Sequence, residues 1–341
     1  MREYLERVLD RHDLSEAEAA LVLRALTQPD LAPAMAGAML AALRAKGVTA
    51  AELRGFANAM RALAQRPDID AAQHARAIDI VGTGGDASGS VNISTGTALL
   101  VAASGLPVIK HGNRSISSRS GSADVLERLG LPLPLDAARA GACLRATQFT
   151  FLFAPHYHPA MKAIAPIRQA LGVRTIFNVL GPLTNPAAPP YQVVGAYSLA
   201  MAELMADTLA GMPSITRAFV VHGANGWDEP TPIGPFTLFD VHAGRVERSV
   251  RTPADYGLAL CTPEALAGGD GAANAAALRA VFDGTDRGAH RDALCMGAAL
   301  AFECAGIVAN AREGIARANA VLDDGHARGL LDALARFGAS A

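Results

Sequence analysis

The chain predicts an α/β fold: a small all-helical domain followed by a large domain with a central, mostly parallel sheet. Three observations carry this expectation. The first seventy-odd residues have helical patterning with two capping boxes, short apolar runs of strand length alternate with helical segments from Ala77 onward, and a glycine-rich loop follows the first of those runs. At 341 residues there is room for two domains. Thirty basic and 32 acidic residues leave a net charge of −2, so nothing in the overall balance favours nucleic acid or an anionic membrane as partner.

The elements follow in order. Ser15-Glu16-Ala17-Glu18 is a capping box before the apolar run 19–26, and Thr49-Ala50-Ala51-Glu52 repeats the device. Between them, residues 31–43 are rich in Ala, Met and Leu with only an intermittent polar face. That pattern predicts a helix buried on more than one side, with the surplus covered in a homodimer. Strands are predicted over 78–81, 107–109, 149–153, 192–197 and 217–221, with helices over 94–104, 122–129, 137–146 and 199–209. Residues 236–241 and 245–250 around Gly244 read as a late hairpin, and helices return over 274–282, 291–305 and 312–323. No apolar stretch approaches a membrane span, and the mixed charges of the first residues lack a signal-peptide core, so a cytoplasmic location is expected. Cys143, Cys261, Cys295 and Cys304 form no CxxC pair and are expected to be reduced core thiols.

Between Asp86 and Asp124 there is no carboxylate. The interval holds Gly82-Thr83-Gly84-Gly85-Asp86 at its edge, then Asn92-Ile93-Ser94-Thr95 and Lys110-His111-Gly112-Asn113-Arg114-Ser115. Glycines let backbone N–H groups approach an anion, hydroxyls and amides add neutral donors, and Lys110, Arg114 and Arg119 add charge. This composition points to a site for a large anion. Residues 82–87 formally fit G-x-G-x-x-[GA], yet Ala87-Ser88-Gly89-Ser90 prolongs the loop where a dinucleotide fold starts its helix, and no acid stands about 20 residues on for a ribose. A Walker loop is excluded too, because no Gly-Lys-Ser/Thr follows. Asn92, Ser94 and Thr95 fall where the next helix begins, so first-turn donors face the same anion; Ser94 is equally suited to simple N-capping, and the two roles are compatible. Lys110 to Ser118 follows the next strand, which a parallel sheet brings to the same carboxyl edge.

Taken with Arg119-Ser120-Gly121-Ser122-Ala123-Asp124-Val125-Leu126, Phe151-Leu152-Phe153-Ala154-Pro155, Tyr157-His158-Pro159-Ala160-Met161-Lys162, Arg174-Thr175-Ile176-Phe177-Asn178 and Leu180-Gly181-Pro182-Leu183-Thr184-Asn185-Pro186, these motifs resemble the anthranilate phosphoribosyltransferase family over most of the chain. The resemblance implies a nucleoside phosphorylase/phosphoribosyltransferase class-III-like fold. Its helical domain would span 1–75, with a helical insertion near 158–182 packing on it, and its α/β domain 76–341; the helical domain would form a homodimer. It implies transfer of phosphoribose from phosphoribosyl pyrophosphate to anthranilate in tryptophan biosynthesis, with two Mg²⁺ per subunit and no assigned general base. By position, Gly82, Gly85, Asp86, Ser90, Asn92, Ile93, Ser94, Thr95, Lys110, His111, Gly112, Asn113, Arg114, Ser115, Ile116, Ser117, Ser118 and Ser122 would hold the donor. Gly82, His111, Asn113, Tyr157, His158 and Arg168 would meet anthranilate, Arg168 being suited to its carboxylate. Ser94, Asp228 and Glu229 would hold magnesium.

Other readings stay open beside this one. His156 and His158 lie two apart, but no third His or Cys stands nearby to complete a transition-metal site. The chain departs from the family pattern at Trp227, Pro230 and Gly297, the last replacing a frequent Asn, which leaves room for another aromatic amine as acceptor. A pyrimidine nucleoside phosphorylase would share the glycine loop without needing Asp228-Glu229. A non-catalytic nucleic-acid-binding relative would carry a basic surface.

Overall fold

The computed structural model describes residues 1–115 and 119–340. The chain opens with four helices, α1 (Arg2–Leu9), α2 (Glu16–Leu26), α3 (Pro33–Lys46) and α4 (Ala50–Leu63). Both expected capping boxes form: the Ser15 hydroxyl accepts from the Glu18 N–H and that of Thr49 from the Glu52 N–H, and each glutamate reaches back to its cap. α3 is displaced toward the C-terminus of its predicted range. Pro33 supplies a helical φ at the first turn and Gly47, at φ +88°, ends the helix. Glu52 is wholly buried but satisfied, since it accepts from Leu14 N–H at 2.9 Å and from Lys46 Nζ and Thr49 N–H at 2.9 Å each.

The rest alternates. In chain order come α5 (Ala71–His74), β1 (Ile78–Gly82), α6 (Ile93–Ala103), β2 (Val108–Gly112), α7 (Ser122–Arg128), α8 (Ala137–Thr147), β3 (Phe149–Phe153), α9 (Ala154–Tyr157) and α10 (Met161–Leu171). Then follow β4 (Tyr191–Gly195), α11 (Leu199–Ala210), β5 (Arg217–His222), β6 (Phe236–His242) and β7 (Arg245–Arg251). Four helices close the chain: α12 (Gly271–Phe282), α13 (Ala289–Cys304), α14 (Ala311–Asp323) and α15 (His326–Ala339). The sheet has seven strands in the order β3-β2-β1-β4-β5-β6-β7, parallel through β5 and antiparallel at β6 and β7. Side chains alternate between two cores. Val193, Phe219 and Val221 face α6, α8 and α12 to α15, whereas Val194, Ala218 and Val220 face α1 to α4, α10 and α11. α10 and the turn Ile176–Asn178 pack on α3.

Three further differences from the sequence reading have physical reasons. β2 extends three residues beyond the predicted apolar run, because Lys110, His111 and Gly112 continue the ladder opposite Phe151, Leu152 and Phe153. α15 is not predicted, since Gly325, Gly329 and Gly338 interrupt its pattern; Leu330, Leu331 and Leu334 nevertheless bury against the core. The hairpin is one residue longer in each arm, and its turn residues Ala243 (φ +51°) and Gly244 (φ +74°) are both left-handed, as a tight two-residue connection requires.

α13 crosses α6 at close range. A Cβ on Gly297 would stand 2.6 Å from Thr97 Oγ1, so glycine here reflects a helix contact and leaves the cleft untouched. All four cysteines are free thiols, with Cys143, Cys295 and Cys304 buried. Among the described residues no helix is long and apolar enough to cross a membrane.

Candidate active site

β1 lies between β2 and β4, so the loops leaving the carboxyl ends of β1 and β4 diverge and open a crevice there. Gly82 ends β1 beside Gly195 of β4, and one neighbour requires both glycines. A Cβ on Gly82 would stand 2.4 Å from Asp228 Oδ2, and one on Gly195 only 1.5 Å from the Asp228 carbonyl oxygen. The acidic pair therefore rests directly on the glycine loop. Asp228 Oδ2 accepts from the Gly84 N–H at 2.6 Å, and the Asp228 N–H donates to Asp86 Oδ2 at 3.4 Å. Asn225 (φ +59°) and Gly226 (φ +77°) turn the chain back, and the Gly223 N–H closes on the Trp227 carbonyl at 2.8 Å. Trp227 and Pro230 are both buried, on the packed side of this loop.

Glu229 joins the loop to α6, its Oε1 accepting from the Ser94 N–H at 3.0 Å. Asn92, and not Ser94, occupies the N-cap, and its amide is used elsewhere: Nδ2 donates to the Ser120 carbonyl at 3.2 Å, and Oδ1 accepts from Asn274 Nδ2 at 2.7 Å. Ser94 Oγ accepts from buried Lys110 Nζ at 3.3 Å, which also donates to the Ile80 carbonyl. Ile93 and Thr95 bury their side chains. Ser90 sits in the loop, its hydroxyl 3.2 Å from that of Ser88.

Asp86, Asp228 and Glu229 thus converge. Burial and then the nearby Asp86 charge push Asp228 up to about 7, and burial with Asp228 raises Glu229 well above the ordinary carboxylate range. Burial lowers Lys110, opposed by Asp79, Glu229 and Asp228. Repelling carboxylates beside a serine hydroxyl fit a hard divalent cation. Among the described residues no three or more His, Cys, Asp or Glu are grouped to hold a metal unaided, so substrate or water oxygens would have to complete the shell of any cation there.

The loop after β2 supplies the facing wall. Asn113 is exposed, with Oδ1 accepting from the Arg114 N–H at 2.7 Å and its carbonyl from Ser122 Oγ at 3.3 Å. A Cβ on Gly112 would stand 2.5 Å from Ser122 Oγ, so the loop and the start of α7 touch. Arg114 forks its guanidinium onto Glu127 at 2.6 Å and reaches Asp124 at 3.1 Å, so its charge is paired with α7. The Ser115 N–H donates to Asp124 Oδ2 at 3.2 Å. Ile116, Ser117 and Ser118 lie outside the described residues.

On the acceptor side, His111 and His158 meet Nε2 to Nε2 at 3.2 Å. His111 Nδ1 faces the Gly181 carbonyl at 3.2 Å and must carry a proton, so its Nε2 accepts from His158. Burial, then His158, pushes His111 down to about 3, and burial pushes His158 to about 4, so both rings are neutral at pH 7. Tyr157 departs from the sequence reading. It is wholly buried, its hydroxyl donating to the Leu135 carbonyl at 3.1 Å, so it packs behind the wall and presents no group to an acceptor. Arg168, on α10, stacks over Phe177 at 5.3 Å and forms no ion pair among the described residues; burial lowers its pKa.

Sequence reasoning missed two supports. Asp79 is fully buried, accepts from the His111 N–H at 3.3 Å and from Asn185 Nδ2 at 2.9 Å, and burial raises it to about 6. A lone acid inside an apolar strand was the available signal, because a buried charge needs partners. Arg174 donates to the Gly85 carbonyl at 3.1 Å, stacks on Tyr197 at 4.9 Å, and its own carbonyl accepts from Arg44 of α3 at 3.0 Å. It ties the glycine loop, whose Gly85 has φ +80°, to the helical part.

A helical bundle docked on a parallel sheet, with an anion loop and an acidic pair at its switch point, defines a glycosyl transferase of the two-domain kind. Residues 2–64 match the glycosyl transferase family helical bundle domain and residues 74–328 its a/b domain. The anthranilate phosphoribosyltransferase of Chloroflexus aggregans is 44% identical over 328 residues, 96% of this chain and 95% of that protein. The solved anthranilate phosphoribosyltransferase of Thermus thermophilus superposes with a TM-score of 0.91 at 39% identity, covering 98% of this chain and 99% of that one. That of Saccharomyces cerevisiae, solved with PRPP and Mg, gives 0.89 at 27% identity over 99% and 98%, and has also been solved with 4-fluoroanthranilate. The chain belongs to the anthranilate phosphoribosyltransferase family.

Proposed function

We propose that this protein transfers the phosphoribosyl group of 5-phosphoribosyl 1-pyrophosphate to the amine of anthranilate, giving N-(5-phosphoribosyl)anthranilate and pyrophosphate in tryptophan biosynthesis. The observation that carries this reading is the latch of Asp228 on Gly84 N–H and Glu229 on Ser94 N–H, which sets two acids beside an anion loop. Inorganic phosphate alone would not call for that pair. Gly82, Gly85, Asp86, Ser90, the 92–95 turn, Lys110 and the 111–118 and Ser122 wall would receive the donor. Gly82, Asn113, His111 and His158 would border anthranilate, and Arg168, free of a carboxylate partner among the described residues, would take its acid group.

Displacement at the sugar C1 builds positive charge on the ribose and negative charge on the leaving pyrophosphate. Magnesium on Asp228, Glu229 and Ser94, two ions per subunit in our reading, would supply charge neutralisation for that leaving group. Lys110 adds a buried cation held by the Ile80 carbonyl and Ser94 Oγ. The neutral His111–His158 pair gives the acceptor an uncharged wall, and the aromatic amine is already unprotonated at pH 7, so the chain needs to orient it without removing a proton first. We further infer a cytoplasmic homodimer built through a helical domain of residues 1–75. Leu9 and Leu21, 62% and 53% exposed on α1 and α2, support that contact.

The test is anthranilate fluorescence followed with phosphoribosyl pyrophosphate, with and without Mg²⁺, on wild type and Arg168→Ala. Magnesium-dependent consumption is expected, with a raised anthranilate KM and a largely unchanged donor KM in the variant. A folded wild type that consumes no anthranilate refutes the assignment, and a monomer by light scattering refutes the dimer.

A further inference from the structure

A second cavity, of about 400 Å³, lies at the opposite end of the strands. It is bounded by Asn58 and Arg61 of α4, Arg66 in the connection, His74 of α5 and Ala187 ahead of β4. These segments precede β1 and β4, so the cavity opens at the amino edge of the sheet. The length of β1 puts roughly 17 Å between it and the glycine loop. Its volume suits a small metabolite.

The lining holds three basic side chains, Arg61, Arg66 and His74, and no carboxylate. Arg61 is the unusual member. Its Nη1 donates to Ser214 Oγ at 3.0 Å, while the buried Nε and Nη2 have no hydrogen-bond partner, and among the described residues no acid pairs with it. Nε and Nη2 form the side-on fork that matches two oxygens of one carboxylate or phosphate. Native structures rarely leave such donors unused. Burial lowers Arg61 to about 10, opposed by the charge of Asp79. His74 Nε2 sits 2.7 Å from the Ala187 carbonyl, which fixes the ring on the wall, and Arg66 is exposed at the rim.

We propose that this cavity binds a small oxyanion, the carboxylate or phosphate of a metabolite, on the Arg61 fork with Arg66 as second cation. Arg61 lines the cavity, and its buried, unpartnered Nε and Nη2 are the donors an entering anion would take up. A bound anion then spans α4 of the helical part and α5 of the sheet part.

The test uses crystals soaked in selenate and calorimetric titrations of inorganic phosphate and of succinate into wild type, Arg61→Gln and Arg66→Ala. The expected results are an anomalous peak within hydrogen-bond distance of Arg61 that disappears in Arg61→Gln, and a binding event, apart from any at the glycine loop, whose Kd rises about tenfold in either variant. Succinate matching phosphate at this event identifies a carboxylate ligand, and phosphate alone identifies a phosphate. An empty cavity overturns the proposal, and so does a peak with solution binding unchanged in the variants, which marks an adventitious ion only. Should Arg61→Gln fail to fold, exposed Arg66 decides the matter. None of these readouts requires phosphoribosyl transfer, so they stand or fall separately from the function above.

Discussion

Replacing Gly195 with alanine asks whether the acidic loop is positioned by backbone contact with β4. The new Cβ would stand 1.5 Å from the Asp228 carbonyl oxygen and 2.5 Å from its carbon. Ordinary carbon–oxygen contact then requires about 2 Å of displacement. β4 cannot yield, because Gly195 is paired with Gly82 on one side and Val221 on the other in the middle of the sheet. The loop must move, and with it go the 2.6 Å bond from Gly84 N–H to Asp228 and the 3.0 Å bond from Ser94 N–H to Glu229. A shift of that size at a positioning group costs about 10²-fold or more in kcat/KM, with about 1–3 kcal/mol of stability lost to overpacking. The assay is initial rate against Mg²⁺ and donor concentration, beside urea unfolding to confirm the fold. A folded variant with wild-type magnesium dependence and rate would show that the loop is held by something other than this contact.

Three further outcomes are expected. Lys46→Met strips the cation from fully buried Glu52 and should cost about 3–5 kcal/mol in urea unfolding, recovered in part by adding Glu52→Gln; a loss below about 1 kcal/mol, roughly that of a surface pair, refutes the burial reading. His158 is pushed down to about 4, so the unfolded chain takes up its proton first as pH falls. Its contribution is complete above about pH 6.5 and shrinks toward pH 4, by about 2 kcal/mol at about pH 5. His158→Asn should flatten the wild-type loss of stability across that window, and an unchanged pH slope counts against a buried neutral ring. Arg174→Ala removes the tie between the Gly85 carbonyl and the helical part and should raise the donor KM more than that of anthranilate; equal changes in both would assign it a merely structural role.

Much of the fold was legible because local rules and tertiary context agree. The capping boxes at Ser15 and Thr49, the alternation of short strands with helices, and the hairpin around Gly244 all formed. Polar chemistry inside a strand was harder to read. Lys110 and His111 looked like loop residues, yet they are ladder residues whose side chains are satisfied by Ile80, Ser94, Gly181 and His158 from distant segments. Arg114 and Tyr157 show the complementary limit. The family resemblance implied a ligand contact for each, and the fold gives the same groups partners in Glu127 and the Leu135 carbonyl, which only three-dimensional proximity reveals. The glycines of residues 82–85 were legible as loop formers, while the reason for glycine at 82 and 195, a loop from more than thirty residues further along the chain, was not.

The contact between Gly297 and Thr97 constrains how this chain could change over generations. A side chain cannot be introduced at 297 while threonine stands at 97, since its first carbon would fall 2.6 Å from Oγ1 and press on α6, whose opening turn carries Ser94. A smaller residue at 97 has to come first. Any larger residue at 297 is therefore two ordered steps away, and the intermediate holds a void between two helices. Sequences with the same cleft can thus be separated by the order of mutations open to them, and the barrier between them stands behind the catalytic crevice.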